Sequence, residues 1–278
     1  MRVLVMLDGT VADPEAAHIR VDDLGLMRGD GVFETILVVD GKPRELDLHL
    51  DRLAASAAKL ELPEPDRVAW QHAVEAVLER WTEPECALKL VYTRGPEDTD
   101  EVTGFALGMS IGEQVHELRR TGVSAVTLER GIDPGLAERA PWLLLGAKSL
   151  SYALNMAAGR EAKRRGAQEV IFTASDGTVL EGPTSTVVLA SGNTLRTPPA
   201  QIGILPGTTQ AGLFRAAERA GWTCTTEPIA VEDLFTADLV MVASSVRKIT
   251  RVHTLDGKQL GDSSALHEQL CALYEAEY

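Results

Sequence analysis

Lys148 is one of only seven lysines in 278 residues, and from Ala140 to Gly159 no other side chain is charged at neutral pH. It follows Trp142-Leu143-Leu144-Leu145-Gly146-Ala147 and is expected to open a helix. The stretch holds too much Ser, Asn, Gly and Pro for a membrane span, so it reads as buried in protein. A buried ammonium loses hydration, its pKa falls, and the neutral amine becomes a nucleophile able to form a Schiff base with an aldehyde. The alternative is a lysine that snorkels from an apolar patch to water.

Glu181 stands in Leu180-Glu181-Gly182-Pro183-Thr184-Ser185, and no charged residue follows it until Arg196. A carboxylate beside small residues after a hairpin strand can face a cavity; alone, it can equally be an exposed turn residue. Leu205-Pro206-Gly207-Thr208-Thr209 leads into a helix whose first N–H groups and hydroxyls suit a phosphate, although a plain N-cap has the same look. Ser244-Ser245 at a strand end offers more donors or an ordinary polar turn. Arg52 lies on the helix face opposite a leucine stripe and can bind phosphate, unless it is only solvated. Arg94, at a strand end in Thr93-Arg94-Gly95, can clamp a carboxylate or sit on a surface turn. An aldehyde for Lys148, a ring nitrogen for Glu181 and a phosphate for the Gly-Thr-Thr turn describe one ligand, pyridoxal 5′-phosphate.

These residues must be held by an α/β scaffold. Asp40-Gly41 and Asp176-Gly177 punctuate two hairpins, the first joining Val32–Val39 to Arg44–Leu46, the second joining Val170–Thr173 to Thr178–Leu180. Asp47 is expected to cap a helix carrying Leu50, Leu53, Ala54, Ala57 and Leu60. Trp70, Ala73, Val74, Val77, Leu78 and Trp81 mark a second helix by their spacing. Further helices are read at 149–165, after Gly207, and at 264–277. Strands are read at 88–93, 105–111, 123–128, 187–190, 239–243 and 249–254. The domain reading is an N-terminal α/β lobe over 1–112, a polar linker over 113–122, and a C-terminal lobe over 123–278.

At these positions the chain resembles the fold-type IV pyridoxal-phosphate enzymes, which include branched-chain and D-amino acid aminotransferases and 4-amino-4-deoxychorismate lyases. The matching stretches are Arg28-Gly29-Asp30-Gly31-Val32-Phe33-Glu34-Thr35, His49-Leu50-Asp51-Arg52-Leu53, Ala147-Lys148-Ser149-Leu150-Ser151-Tyr152, the Glu181 and Gly207 motifs, and Ser244-Ser245. The resemblance implies a small N-terminal α/β sandwich, a larger pseudo-barrel lobe, a cofactor between them and a homodimer. It implies that Lys148 and Glu181 are catalytic, with Glu181 on the pyridinium nitrogen. Arg52, Thr208, Thr209, Ser244 and Ser245 would hold the phosphate.

The pattern looks most like the lyases, which imply release of pyruvate and 4-aminobenzoate for folate biosynthesis. Phe33 and Glu34 would lie at the substrate, and Arg94 or Arg247, with Arg28 behind them, would meet its carboxylates. One departure favours a D-amino acid or branched-chain aminotransferase: some lyases carry a threonine, a proposed proton donor, where this chain has Glu34. Thr35 is adjacent, but strand alternation sends it to the opposite face.

Composition narrows the partners. A net charge of −14 argues against nucleic acid and anionic membrane. Cys86, Cys224 and Cys271 are too far apart for a disulfide framework or metal spacing, and read as reduced thiols of a cytoplasmic protein.

Overall fold

Apolar side chains on both faces of one strand and small residues along its neighbours build the first sheet. The computed structural model describes residues 1–278, which divide into two compact units, Met1–Gly112 with Ala147–Tyr152, and Glu113–Gly146 with Ala153–Tyr278. The first unit contains β1 (Arg2–Met6), β2 (Val11–Ala12), α1 (Leu24–Arg28), β3 (Gly31–Val39), β4 (Lys42–Pro43), α2 (Leu46–Lys59), α3 (Arg67–Leu78), β5 (Glu85–Thr93) and β6 (Thr103–Met109). Its strands form one antiparallel sheet in the order β2-β1-β6-β5-β3-β4. Val32, Ile36, Leu37 and Val38 of β3 are almost wholly buried, so side chains on both faces of this strand are covered although only the two-residue β4 lies beyond it in the sheet.

Asp40 and Gly41 take φ of 47° and 75°, the paired left-handed geometry of a tight hairpin turn. The strand after that turn is shorter than expected. It covers only Lys42–Pro43, and Leu46 already belongs to α2. Asp47 does not cap this helix: Glu45 holds the cap position without a side-chain bond, and the Asp47 carboxylate accepts from Arg67 Nη2 at 2.6 Å. The apolar stripe does behave as read. Leu50, Leu53 and Ala57 are buried in α2, and Trp70, Ala73, Val74 and Val77 are buried in α3.

The second unit contains α4 (Glu113–Thr121), β7 (Val123–Glu129), α5 (Leu136–Arg139), α6 (Ala153–Arg164), β8 (Glu169–Thr173), β9 (Thr186–Ser191), β10 (Thr194–Thr197), α7 (Thr208–Arg219), β11 (Thr223–Thr226), α8 (Asp233–Thr236), β12 (Leu239–Ser244), β13 (Lys248–Leu255), β14 (Lys258–Gln259) and α9 (Ser264–Glu275). The stretch read as a polar linker is thus largely helical. Its sheet is mixed and curled, in the order β11-β10-β9-β12-β13-β7-β8, with β14 on β13. Val187, Leu189, Val240, Val242 and Val252 pack one face of it, while Val188, Met241 and Ile249 pack the other with Leu213 of α7 and Leu270 of α9. No helix is long and apolar enough to cross a membrane.

Two sequence readings around Lys148 change. The helix expected from Ser149 begins at Ala153, and the apolar run before the lysine is not interior: Trp142 is 74% exposed.

Candidate active site

Residues 148–150 run extended along the edge of β3. Ser149 bridges Val32, the Lys148 carbonyl accepts from Phe33 N–H at 3.0 Å, and Leu150 N–H donates to Gly31 O at 2.8 Å. The Lys148 N–H donates to Ser56 Oγ on α2 at 3.1 Å. The lysine backbone is therefore fixed on both sides, which locates its side chain better than a helix start would. The side chain is half-buried, not dry, and Nζ sits 4.6 Å from the centre of the Phe33 ring. Tyr152 packs edge-on against the same ring at 5.4 Å.

Side chains alternate along β3, so Phe33 and Glu34 part company. Glu34 turns to α2, where Arg52 donates to it twice, Nε to Oε1 and Nη2 to Oε2, both at 2.7 Å. His49 Nδ1 lies 2.7 Å from Oε2, and because a carboxylate only accepts, that nitrogen carries the proton. Glu34 and His49 are buried, and Arg52 is 9% exposed. Burial works to raise the Glu34 carboxyl, but the Arg52 charge and the hydrogen bonds from Arg52 and His49 outweigh it and hold it far below the usual carboxylate range. Burial also pushes His49 below its ordinary value, only partly offset by Glu34, which favours the neutral ring. Glu34 is thus buried and engaged by Arg52 and His49, where the sequence reading placed it at the substrate.

The opposite face of β3 carries Phe33 and Thr35. Thr35 stands directly across from Lys89 of β5 in the antiparallel register, and Lys89 Nζ lies 5.4 Å from the Phe33 ring centre. Sequence reasoning passed over Lys89. Its signal was a charge between Leu88 and Leu90, the only one from Cys86 to Thr93.

In the second unit, the chain after Asp176-Gly177 folds back on β8. Leu180 N–H donates to Phe172 O at 2.8 Å, and Phe172 N–H donates to Glu181 O at 2.9 Å. The Glu181 carboxylate is then held at both oxygens, Oε1 by Arg130 Nη1 at 3.3 Å and Oε2 by the Leu205 N–H at 3.0 Å. Leu205 opens the segment that enters α7. A Cβ built on Gly207 would come within 2.2 Å of Thr186 Oγ1, so only glycine lets the backbone pass there. α7 starts without a side-chain cap, and Thr208 and Thr209 are buried at its first turn. A helix start of this kind, with hydroxyls beside it, suits a phosphate. Ser244 and Ser245 are half-buried where β12 ends. The residues present are of the kinds pyridoxal phosphate needs: the first unit holds an amine and an arginine held by a buried carboxylate, and the second, described by itself, holds a fixed carboxylate and a helix start suited to an anion.

Two proposed carboxylate clamps are already engaged. Arg94 donates to Asp30 at 2.6 and 3.3 Å and to the carbonyls of Leu60 and Glu61 at 2.7 and 3.2 Å, so it ties β5 to the end of α2. Arg247 pairs with the buried Glu169 carboxylate and donates to Thr184 Oγ1 at 3.1 Å. Arg28 ends the short α1 next to Gly29.

A family model for amino-transferase class IV matches residues 31–255. The chain belongs to the class IV aminotransferases. This class IV chain is similar to the bifunctional aminodeoxychorismate lyase / D-amino acid transaminase of Mycobacterium tuberculosis (strain ATCC 25618 / H37Rv), at 45% identity over 268 residues and 93% of each chain. Among solved structures it is similar to a hypothetical aminotransferase from Mycobacterium tuberculosis in its PLP-bound form, with a TM-score of 0.97 and 44% identity over 100% of this chain and 98% of that one. The α-ketoglutarate and PMP bound form of that protein gives a TM-score of 0.96 at 44% identity, covering 99% and 98%. The class IV chain is a pyridoxal-phosphate-dependent enzyme, a lyase or an aminotransferase.

Proposed function

We propose that the enzyme is a 4-amino-4-deoxychorismate lyase giving 4-aminobenzoate and pyruvate, with D-amino acid transamination as a second activity of the same residues. The alternation of β3 carries the lyase reading. Glu34 is withdrawn into the Arg52–His49 cluster, and Thr35 lies on the face that holds Phe33 and Lys89. The hydroxyl that the sequence reading set aside is therefore the one on the Lys148 side of the strand. The transaminase reading rests on the similarity to the bifunctional enzyme and to a structure holding α-ketoglutarate and PMP.

Bound pyridoxal phosphate supplies an electron sink for charge developing on the substrate carbon. Arg52, Thr208, Thr209, Ser244 and Ser245 would hold its phosphate, and Glu181 would keep its ring nitrogen protonated. Lys148 would anchor the cofactor through Nζ, and the same amine is placed to take the proton from the amine-bearing carbon of the substrate. The substrate C–O bond to the enolpyruvyl group then breaks, the substrate ring becomes aromatic, and Thr35 Oγ would give the departing enolpyruvate the proton that turns it into pyruvate. Lys89 takes one of the two substrate carboxylates as a point charge.

The test offers purified enzyme 4-amino-4-deoxychorismate and, separately, D-alanine with 2-oxoglutarate. Both assays are expected to give product, and Lys148→Ala is expected to lose the borohydride-reducible cofactor. Thr35→Val should lower kcat/KM for 4-aminobenzoate formation by about a hundredfold, the scale of one acid–base group, while transamination stays within a few-fold. No 4-aminobenzoate from the unmodified enzyme refutes the lyase reading.

A further inference from the structure

The chain turns from β12 to β13 in three residues, Ser245, Val246 and Arg247, with Ser244 opposite Lys248 in register. Lys248 has a φ of 58°, in the left-handed region that favours glycine, so this arch is not in a conformation its own residues prefer. Cations hold it from three directions. Lys248 Nζ reaches Glu275 of α9 at 3.0 Å. Arg247 reaches Glu169 of β8 and Thr184. From α4, Arg119 donates to the Val246 carbonyl twice, through Nε at 3.0 Å and Nη2 at 2.5 Å. Its Nη1 donates to His116 Nδ1 at 3.3 Å, which steadies the fork on its own helix.

A guanidinium with two N–H groups on one carbonyl does more than a surface contact. It fixes the plane of the Val246–Arg247 peptide, and the charge-assisted bonds polarise that peptide so that its N–H end becomes more positive. The same arch presents Ser244 and Ser245. We propose that Arg119 is a positioning residue for phosphate binding, acting through the Val246 carbonyl on the arch that carries the two serines. This rests on the reading of Ser244 and Ser245 as phosphate-binding residues of a pyridoxal-phosphate enzyme. It also gives a role to a helix in a stretch whose composition suggested only a linker.

The experiment compares two probes that differ only in the phosphate. Dissociation constants for pyridoxal 5′-phosphate and for pyridoxal are measured on the full chain by absorbance titration, for the unmodified enzyme, Arg119→Met and Arg119→Lys. Arg119→Met is expected to lose about tenfold of the preference for the phosphorylated form, the scale of removing one outer partner of a bound ligand group. Affinity for pyridoxal and the apo melting temperature should hold, and Arg119→Lys, which keeps one donor, should recover part of the preference. An unchanged preference in Arg119→Met overturns the proposal, as does an equal loss for both probes, which marks a general packing defect. An unmodified enzyme that shows no preference between the probes overturns the cofactor reading itself, and the proposal with it.

Discussion

Replacing Glu34 tests the claim that Arg52 is aimed before any ligand arrives. The carboxylate makes three bonds of 2.7 Å, two to Arg52 and one to His49, in a place where none of the three side chains exceeds 9% exposure. Glu34→Ala removes the carboxylate that both Arg52 and His49 bind, in a place where the guanidinium is largely out of water. Breaking one side of a buried ion pair costs about 3–5 kcal/mol. Glu34→Gln keeps the shape but turns an N–H pair toward a donor, either Arg52 or His49, and loses about 2–3 kcal/mol of charged hydrogen bonding. At about 2–4 °C per kcal/mol for a chain of this size, the glutamine variant should melt roughly 5–10 °C lower. Calorimetry of the apo protein reads this in the transition of the first unit, since two units need not melt together. The pH dependence follows from the same cluster. Glu34 is held below its ordinary 4.5, so its contribution is complete above that value and is lost as pH falls beneath it. His49 is held below its ordinary 6.5, so the unfolded chain takes up a proton there that the folded chain refuses, and stability also declines as pH drops below 6.5. Glu34→Gln should remove the more acidic part of this decline and keep the part that starts near 6.5. A glutamine variant that melts with the unmodified protein and binds pyridoxal phosphate equally well would refute the reasoning.

Lys89→Ala should lower kcat/KM for a dicarboxylate substrate about tenfold or more through KM, and Lys89→Arg should restore part of it; equal values would leave Lys89 as a packing residue. The thiols of Cys86, Cys224 and Cys271 are each pushed up to about 11, chiefly by burial. A thiol reagent at neutral pH should therefore label none of them in the native chain and all three after denaturation, and rapid native labelling would contradict that.

What could be read without coordinates was local. The stripe from Leu50 to Ala57 and the spacing from Trp70 to Val77 specify buried helix faces because 3.6-residue periodicity needs no distant partner. Lys148 stood out by its isolation alone. The errors came from long-range pairing. Ser149 and Leu150 are extended because β3 offers them an edge more than a hundred residues back in the chain. Arg94 is taken by Asp30 and Arg247 by Glu169, and no spacing rule announces either pair. That Glu34 turns to α2 is not legible in the sequence, which says that neighbours on a strand part but not which of them faces the helix. The helix at Glu113–Thr121 was hidden by its polarity: it buries no residue fully, so it lacks the apolar stripe that marks the others.

The six residues Ala147–Tyr152 lie within the first unit although the chain on either side of them belongs to the second. A protease nick or an engineered split at Gly112 would therefore not release that unit intact. The N-terminal fragment would leave Lys148 on the other piece and would bare the N–H of Phe33 and the carbonyl of Gly31 along an open strand edge. Such an edge invites aggregation. Complementing residues 1–112 with a peptide that carries residues 147–152, or joining that stretch to residues 1–112 through a linker, is the way to obtain this unit in separable form.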